Sequence, residues 1–177
     1  DGVDFSLPAD PPVNRKRLGG EEASDKRLYL GCTGFSMPEW VGKVYPPGAK
    51  NRDFLQHYSR QFDTIEFNTT HYRIPSPELI ERWKRESAGG FRFCPKVPQS
   101  ISHSRNLGLG TEAFHRFWEV IGRLGEKLGP CFLQLPPYFG PDRLPLLDRF
   151  LEAVPEGRKP AVELRHPDWF ASRDTAA

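Results

Sequence analysis

The sequence predicts an α/β fold, a TIM-type (β/α)8 barrel that is truncated here to about five parallel βα units. Short apolar runs alternate with helix-like segments at intervals of roughly 30 residues, which is typical of βαβ units. The connections that lead from a strand to the next helix include the long stretches 35–50 and 98–110, whereas the returning connections are short. Polar side chains close several apolar runs, and a parallel barrel keeps its chemistry at the carboxyl ends of its strands.

The predicted strands are short apolar runs bounded by glycine, proline and polar residues. They cover residues 28–34, 64–69, 91–97, 131–136 and 161–166. Each of the last four carries a charged or amide side chain near its carboxyl end, which a strand interior tolerates only if that group is paired or used. Polar groups at the same end of four strands therefore predict a constructed site.

The first two predicted helices lie on either side of the second strand. Residues 51–61 place apolar side chains on one face. The next helix begins after Ser76, which we interpret as an N-cap because Pro77 follows it at the first helical position. Its apolar stripe consists of Leu79, Ile80 and Trp83.

The longest predicted helix begins after the capping residue Thr111 and is stopped by residues 129–130. Its apolar stripe consists of Phe114, Phe117, Trp118, Ile121, Leu124 and Leu128. Residues 144–154 are predicted to form a fourth helix that buries Leu151 among its inward-facing side chains, and Asp168 is expected to begin a fifth.

The length of 177 residues is that of one domain. Residues 1–27 are polar and lack the strand and helix periods, so we predict a flexible N-terminal arm. Residues 28–177 are predicted to form the N-terminal two-thirds of a barrel domain. An eight-stranded barrel typically takes about 250 residues, so we expect the chain to be a fragment. The alternative is a complete five-stranded open sheet, whose last strand would carry charge at a free edge.

The composition excludes several classes of protein. A formal net charge of +2 is too small to indicate nucleic-acid binding by overall electrostatic attraction, so any anion binding must depend on local groups. The 3 cysteines form no C-x-x-C pair, which argues against a disulfide framework and a zinc ribbon, and we expect buried, reduced thiols. No apolar run reaches the roughly 20 residues of a membrane span, and the N-terminus does not resemble a signal peptide. We expect a cytoplasmic protein without membrane contact.

Six polar side chains are expected to gather at the mouth of the barrel: Glu66, Asn68, Lys96, Gln134, Glu163 and Arg165. Residues two apart along a strand share a face, so Glu66 and Asn68 point the same way, and so do Glu163 and Arg165. Opposite charges that meet in a region of low dielectric shift each other's pKa values, as functional sites do. The alternative is an internal salt-bridge network that only holds the barrel together.

A glycine-bearing loop at residues 98–110 runs into the helix that begins after Thr111. Such a loop can present backbone N–H groups to a phosphate, and His103 and Arg105 would add a proton donor and a fixed charge. Its spacing matches no Walker or Rossmann pattern, and a polar surface loop is the alternative.

Histidines and aromatic residues also follow the predicted strands. His71, His103 and His166 can reach the mouth, where Glu66 and Glu163 would complete a site for a divalent metal. No H-x-x-x-H spacing supports this, so we assign no metal ligand. Aromatic side chains in the same loops can stack on a sugar or base, or simply close the barrel top. They are Trp40, Tyr45, Tyr72, Tyr138, Phe139 and Trp169.

A series of short motifs runs through the chain in order. They are residues 31–34 with 38–40 and 45–46, residues 64–70 with Tyr72 and Pro75, Trp83, residues 91–96 with Ile101 and His103, residues 128–130, residues 134–137, and residues 163–166 with Trp169. On these motifs the chain resembles the YecE-like family, which is catalogued as a domain of unknown function, family 72. The resemblance implies a TIM-type barrel with three further strands that add polar residues to the same mouth. Phe35 stands where the family often has Trp or Tyr.

The expected function is that of a barrel enzyme acting by acid–base or metal-assisted chemistry on a small anionic, phosphate-bearing or sugar-like ligand. The family is similar in fold to barrels that act on phosphodiesters or isomerise sugars, which is analogy alone. The candidate catalytic residues are Glu66, Lys96, His103, Glu163 and Arg165, with His103 as proton donor. The candidate substrate-binding residues are Asn68, Tyr72, Gln134, His166 and Trp169. Two alternatives stay open: a non-catalytic barrel that binds a nucleotide or nucleic acid, and a purely structural cluster. No cofactor is identified, and a divalent metal is the one considered.

Overall fold

A computed structural model describes residues 27–158 and 160–171. Except for Arg27, the predicted arm at residues 1–27 lies outside the described residues, as do residues 159 and 172–177 of the predicted barrel domain. Short strands alternate with helices along the described chain, as predicted. The strands are β1 (Gly31–Cys32), β2 (Thr64–Phe67), β3 (Arg92–Pro95), β4 (Phe132–Gln134) and β5 (Ala161–Glu163).

The strands pair in parallel and in chain order. One sheet has the order β1-β2-β3 and the other pairs β4 with β5. Two backbone hydrogen bonds join the sheets: Val97 N–H donates to the Phe132 carbonyl at 2.8 Å, and Gly129 N–H donates to the Phe93 carbonyl at 2.7 Å. Within the residues described, β1 and β5 do not pair with each other. The predicted α/β class with parallel strands is confirmed.

The α-helices lie between the strands. They are α1 (Phe54–Tyr58), α2 (Thr69–Tyr72), α3 (Pro77–Glu86), α4 (Gln99–Ser102), α5 (Glu112–Gly122) and α6 (Leu144–Ala153). Short 3-10 turns occur at Pro38–Trp40, Asn51–Asp53, Gly125–Lys127, Pro141–Arg143 and Pro167–Trp169. Among the described residues no helix is long and apolar enough to cross a membrane.

Two predicted helix caps are confirmed. The hydroxyl of Ser76 accepts a hydrogen bond from the N–H of Leu79 at 3.3 Å, and α3 begins at the next residue. The hydroxyl of Thr111 accepts from the N–H of Phe114 at 3.3 Å. Each cap satisfies one of the backbone donors that a helix leaves free at its first turn.

Helix α5 ends earlier than the apolar spacing predicts. Its last residue is Gly122, and a 3-10 turn then brings the chain to Leu128. Gly125 has φ of +59°, a left-handed conformation that interrupts a right-handed helix and that glycine adopts at little cost. The stripe from Phe114 to Leu128 is therefore divided between a helix and a turn, although both parts pack on the core.

Strand β1 is shorter than the predicted run of residues 28–34. Leu28 and Leu30 are exposed, and regular pairing is confined to Gly31 and Cys32. The two strands approach so closely at Gly31 that a Cβ atom there would lie 1.9 Å from the carbonyl oxygen of Thr64. The close contact therefore depends on glycine at this position.

The core lies between the helices and one face of the sheets. Ile65, Phe67, Phe93 and Leu133 are buried on that face. The buried residues form two clusters, one around α5 and α6 and one around α1 and α3. One predicted core residue is wrong: Leu151 is exposed, because the buried face of α6 is set by residues 147 and 150.

Candidate functional site

Polar side chains occupy the face of the sheets opposite the helices. In β2, Ile65 and Phe67 are buried against helices, whereas Glu66 between them is half-buried on the other face. The register of β4 and β5 pairs Gln134 with Glu163, and paired residues of parallel strands share a face. The alternation of side chains along each strand therefore gathers the polar groups on one surface.

The carboxylate of Glu163 is held by two neighbours. The Nε2 atom of Gln134 donates a hydrogen bond to Oε2 at 2.8 Å, and Nε of Arg165 lies 3.6 Å from Oε1. The side chains of Arg165 and Glu163 are 45% and 36% exposed, so water screens this ion pair. The hydrogen bond therefore fixes the carboxylate, and the guanidinium of Arg165 stays within reach of a ligand.

The carboxylate of Glu66 has a local partner. The Nδ2 atom of Asn68 donates a hydrogen bond to Oε1 of Glu66 at 3.1 Å. Asn68 is the last residue before α2, so the strand end and the helix start position this pair together. The arrangement orients one oxygen of a half-buried carboxylate, which is the requirement for a positioned base.

Lys96 has a fixed backbone and an available charge. Its N–H donates to the Phe67 carbonyl at 3.1 Å, and its carbonyl accepts from the Thr70 hydroxyl at 2.7 Å. The ammonium lies 5.4 Å from the centre of the Phe132 ring. Lys96 forms no ion pair with any carboxylate in residues 27–158 and 160–171. A cation that is not already paired can bind an incoming anion.

Two imidazoles lie side by side in the segments that follow β2 and β3. The ring centres of His71 and His103 are 5.7 Å apart, at an interplanar angle of 68°. The Nδ1 atom of His71 lies 2.9 Å from the Val97 carbonyl oxygen, and Nδ1 of His103 lies 2.9 Å from the Ser102 hydroxyl. Both rings are therefore held at one nitrogen.

Burial lowers the pKa of His103, and nearby basic groups lower it further. Those groups are His71, Lys96 and Arg165, in that order. The lowered pKa favours the neutral form of His103, which suits a proton acceptor better than the proton donor predicted from the sequence. Lys96 and Arg165 therefore both act electrostatically on His103.

The other predicted ligand contacts bind protein atoms in the described structure. The Nε1 atom of Trp169 donates to the Phe139 carbonyl at 2.8 Å. The Nδ1 atom of His166 accepts a hydrogen bond from the N–H of Asp168 at 3.2 Å. Tyr72 alone among these residues projects outward, with 82% of its surface exposed. Trp169 thus ties the loop after β5 to the loop after β4.

The aromatic residues after the strands divide into core and surface. Tyr45 and Phe139 are buried in the core, which favours the alternative that they pack in the interior and do not roof a pocket. Trp40 stacks on Tyr58 with ring centres 6.4 Å apart, so it also belongs to the packed layer. Tyr138 is exposed, and its hydroxyl donates to the His103 carbonyl at 3.2 Å.

The glycine-bearing loop at residues 98–110 uses its N–H groups internally. The N–H of Gly108 lies 2.6 Å from the Ser104 hydroxyl and 3.2 Å from the Asn106 side-chain oxygen. The N–H groups of Leu107 and Leu109 also bond to carbonyls within the loop. These contacts satisfy N–H groups that could otherwise have bound a phosphate. They match the alternative prediction of a polar surface loop.

The thiols are free but not all buried. Cys131 is buried as expected, and burial raises its pKa to about 12. Cys32 and Cys94 are half-buried, in contrast to the prediction. Burial also raises the pKa of Cys94, whose sulfur lies 3.4 Å from the Thr64 hydroxyl. The raised pKa values favour protonated, unreactive thiols at Cys94 and Cys131.

The described residues do not assemble a metal site. Within residues 27–158 and 160–171, no group of three or more His, Cys, Asp or Glu side chains converges in a way that could hold a metal ion. The carboxylates of Glu66 and Glu163 are each hydrogen-bonded by an amide instead.

Sequence reasoning named His71 only as one of three histidines that follow strands. The structure places it against His103, and a hydrogen bond to a backbone carbonyl fixes its ring. Ser102 and Thr70, both buried, were not predicted at all. One sequence signal could have marked His71 as a site residue. It follows directly after a predicted strand that carries Glu66 and Asn68.

Comparisons with known proteins agree with this fold. The family described as "Protein of unknown function DUF72" matches residues 29–177. The chain is 37% identical to "UPF0759 protein YecE" of Escherichia coli K12 over 144 residues, which is 81% of this chain and 50% of that protein. The chain thus spans about half the length of the curated relatives it matches.

Two solved structures share the fold. A DUF72 family protein from Enterococcus faecalis superposes with a TM-score of 0.66 at 25% identity, covering 81% of this chain and 53% of that one. A DUF72 family protein from Thermotoga maritima gives a TM-score of 0.64 at 30% identity, covering 80% and 56%. The family match, the curated relative and both structures agree, and the chain belongs to the DUF72 family.

Proposed function

We propose that these strands form part of a TIM-type barrel, with the polar groups at its carboxyl-terminal mouth. Five parallel strands in chain order, each followed by helical structure, support this architecture. The helices pack on one face and the polar side chains lie on the other, as in the wall of such a barrel. The relatives are about twice as long as the matched segment, which leaves room for further strands in them.

The mouth binds a small anionic ligand, phosphate-bearing or sugar-like, and transforms it by acid–base chemistry. The observation that carries this proposal is Lys96: its backbone is fixed at both polar atoms, and no carboxylate of the described residues pairs with its ammonium. Arg165 contributes, as Lys96 does, to the lowered pKa of His103. Two cations that converge on a neutral imidazole attract a negatively charged ligand.

Each polar group has a role in this proposal. Lys96 and Arg165 bind the anion and stabilise negative charge that develops during reaction. Glu66, oriented by Asn68, takes or returns a proton. Glu163, held by Gln134, keeps Arg165 at the mouth. His103 acts in its neutral form.

Binding of inorganic phosphate to the full chain tests the proposal. Calorimetric titration should detect phosphate binding that weakens at least about tenfold in Lys96→Met, because a charge-assisted contact contributes roughly 1.5–3 kcal/mol. Arg116→Met is the matched control, since it removes one positive charge from the exposed face of α5. Equal loss in both variants would show a non-specific charge effect and contradict the site.

The structural alternative predicts a different outcome. If the polar cluster only stabilises the fold, Lys96→Met lowers the melting temperature, and the wild-type protein does not bind phosphate. If the cluster is a site, Lys96→Met loses phosphate binding while the melting temperature stays close to that of Arg116→Met. Thermal unfolding of both variants separates the two cases.

A further inference from the structure

The ring orientation of His71 is fixed by a backbone carbonyl. Its Nδ1 atom lies 2.9 Å from the carbonyl oxygen of Val97. A carbonyl oxygen only accepts hydrogen bonds, so Nδ1 of His71 must carry the hydrogen. In the neutral ring the other nitrogen, Nε2, then has a free lone pair and acts as an acceptor.

The cavity beside His71 distinguishes it from its neighbour. Nδ1 of His103 lies 2.9 Å from the Ser102 hydroxyl, which itself donates to the Pro98 carbonyl at 3.2 Å. The Ser102 oxygen is then left to accept from Nδ1 of His103, so both rings hold the same tautomer. Of the two imidazoles, His71 lines the cavity and His103 does not.

His71 also borders an open cavity. A cavity of about 420 Å³ lies between the turn after β2 and the turn after β3, and its lining includes His71, Tyr72, Arg73, Gln99 and Ser100. The space suits a small ligand. Arg73 supplies positive charge at its wall, and the amide and hydroxyl of Gln99 and Ser100 supply neutral hydrogen-bonding groups. The lining is thus suited to an anion that also carries hydroxyl groups.

We propose that His71 is the proton acceptor for a hydroxyl-bearing anionic ligand bound in this cavity, with the Val97 carbonyl as its positioning group. The inference rests on the proposed function, because it assumes that the anionic ligand bound by Lys96 extends into this cavity, which Lys96 itself does not line. The ligand hydroxyl donates to Nε2 of His71. On transfer, the proton moves to Nε2, the ring becomes an imidazolium, and the electron pair of the O–H bond stays on the ligand oxygen. The same proton returns when the step reverses.

The basic groups around His71 favour an anionic ligand. Arg73 lies on the turn that carries His71 and lines the same cavity. His103 faces the ring from the loop after β3. The positive charge of Arg73 attracts the anion and stabilises the negative charge that develops on the ligand oxygen when its proton leaves.

Nitrogen-15 NMR of the histidine rings in the full wild-type chain tests the inference without any variant. Free protein should show His71 as the Nδ1–H tautomer, with Nε2 unprotonated. Hydrogen phosphate, which carries both charge and a hydroxyl, is the probe. Its binding should shift the nitrogen-15 resonance of Nε2 of His71 toward the position of a protonated nitrogen, while Nδ1 stays protonated. The Nε2–H tautomer in the free protein would overturn the inference.

The outcomes separate this inference from the proposed function. Phosphate binding that depends on Lys96 but leaves the His71 signals unchanged would overturn the role of His71 and leave the anion site standing. Absence of phosphate binding would overturn both. His71→Gln should weaken phosphate binding several-fold, and His115→Gln, on the exposed face of α5, should not. Equal binding by His71→Gln and wild type would also contradict the inference.

Discussion

The side chains of Gln134 and Glu163 join the ends of two neighbouring strands. Nε2 of Gln134 donates to Oε2 of Glu163 at 2.8 Å, and the two residues are direct partners in the parallel register of β4 and β5. Each of these strands has three residues, so this side-chain bond adds to a short ladder of backbone bonds. The pair therefore stabilises the contact between β4 and β5, and it also positions the Glu163 carboxylate next to Arg165.

Gln134→Met should lower the free energy of unfolding by about 1 kcal/mol, because it leaves a half-buried carboxylate without its amide donor. Glu163→Gln should cost less, since an amide oxygen can accept the same hydrogen bond. Urea unfolding of both variants provides the comparison. A larger loss in Glu163→Gln than in Gln134→Met would contradict this account of the pair.

Thr70→Val should destabilise the protein by roughly 1–3 kcal/mol. The Thr70 hydroxyl is buried, with 1% of the residue exposed, and lies 3.0 Å from the Phe67 carbonyl and 2.7 Å from the Lys96 carbonyl. Valine keeps the shape and removes the hydrogen bonds. Thr69→Val is the control, because Thr69 is exposed on the same helix. Equal denaturation midpoints for the two variants would show that the buried hydroxyl adds nothing.

Gly31→Ala should destabilise the protein by about 3 kcal/mol, because the new methyl group would overlap the backbone of β2 and force the two strands apart. The Cβ atom would lie 1.9 Å from the Thr64 carbonyl oxygen. Gly89→Ala is the matched control: a Cβ there meets nothing within 4 Å. The control variant should be neutral or slightly stabilised. Chemical denaturation that ranks the two variants the other way would refute the close approach.

Lys96→Met should raise the pKa of His103, because the Lys96 charge is one of the groups that lower it. Arg116→Met should leave that pKa unchanged. Proton NMR titration of the imidazole signals measures both. An unchanged His103 titration in Lys96→Met would mean that the ammonium points away from the imidazole.

The lowered pKa of His103 also predicts how the stability of the folded protein changes with pH. The unfolded chain binds a proton at the ordinary histidine pKa, while folded His103 resists protonation until a lower pH. As pH falls from neutral through that interval, protonation favours the unfolded state and this contribution to stability is lost. His103→Gln should therefore flatten the fall in stability over that interval. An identical pH dependence in the variant and wild type would count against the assignment.

Strand–helix alternation was sufficient to predict the α/β class, because each strand carries a short apolar run and each helix a periodic stripe. The family was recognised from its short motifs. The element ends were harder. β1 is confined to Gly31 and Cys32, where its backbone closely approaches Thr64, and α5 stops before left-handed backbone at Gly125. Neither contact nor backbone angle can be read from hydrophobic period alone.

The grouping of polar residues on one face follows from the two-residue period of strands, so it could be predicted. The contact between His71 and His103 could not, because it joins two loops that are distant in sequence. The internal hydrogen bonds at Gly108 could not be predicted either. A glycine-bearing loop has the same sequence pattern whether its N–H groups bind a ligand or bind acceptors within the loop. Tyr45 likewise looks like a loop residue until packing buries it.

The strands lie side by side in chain order, with isolated bridges between the two sheets, and this order has a consequence for how the protein is made. Every new βα unit can dock on the one already formed, without waiting for a distant segment to be synthesised. Contacts of short sequence range form quickly and at low entropic cost. Folding can therefore proceed on the ribosome, one unit at a time, as the chain emerges.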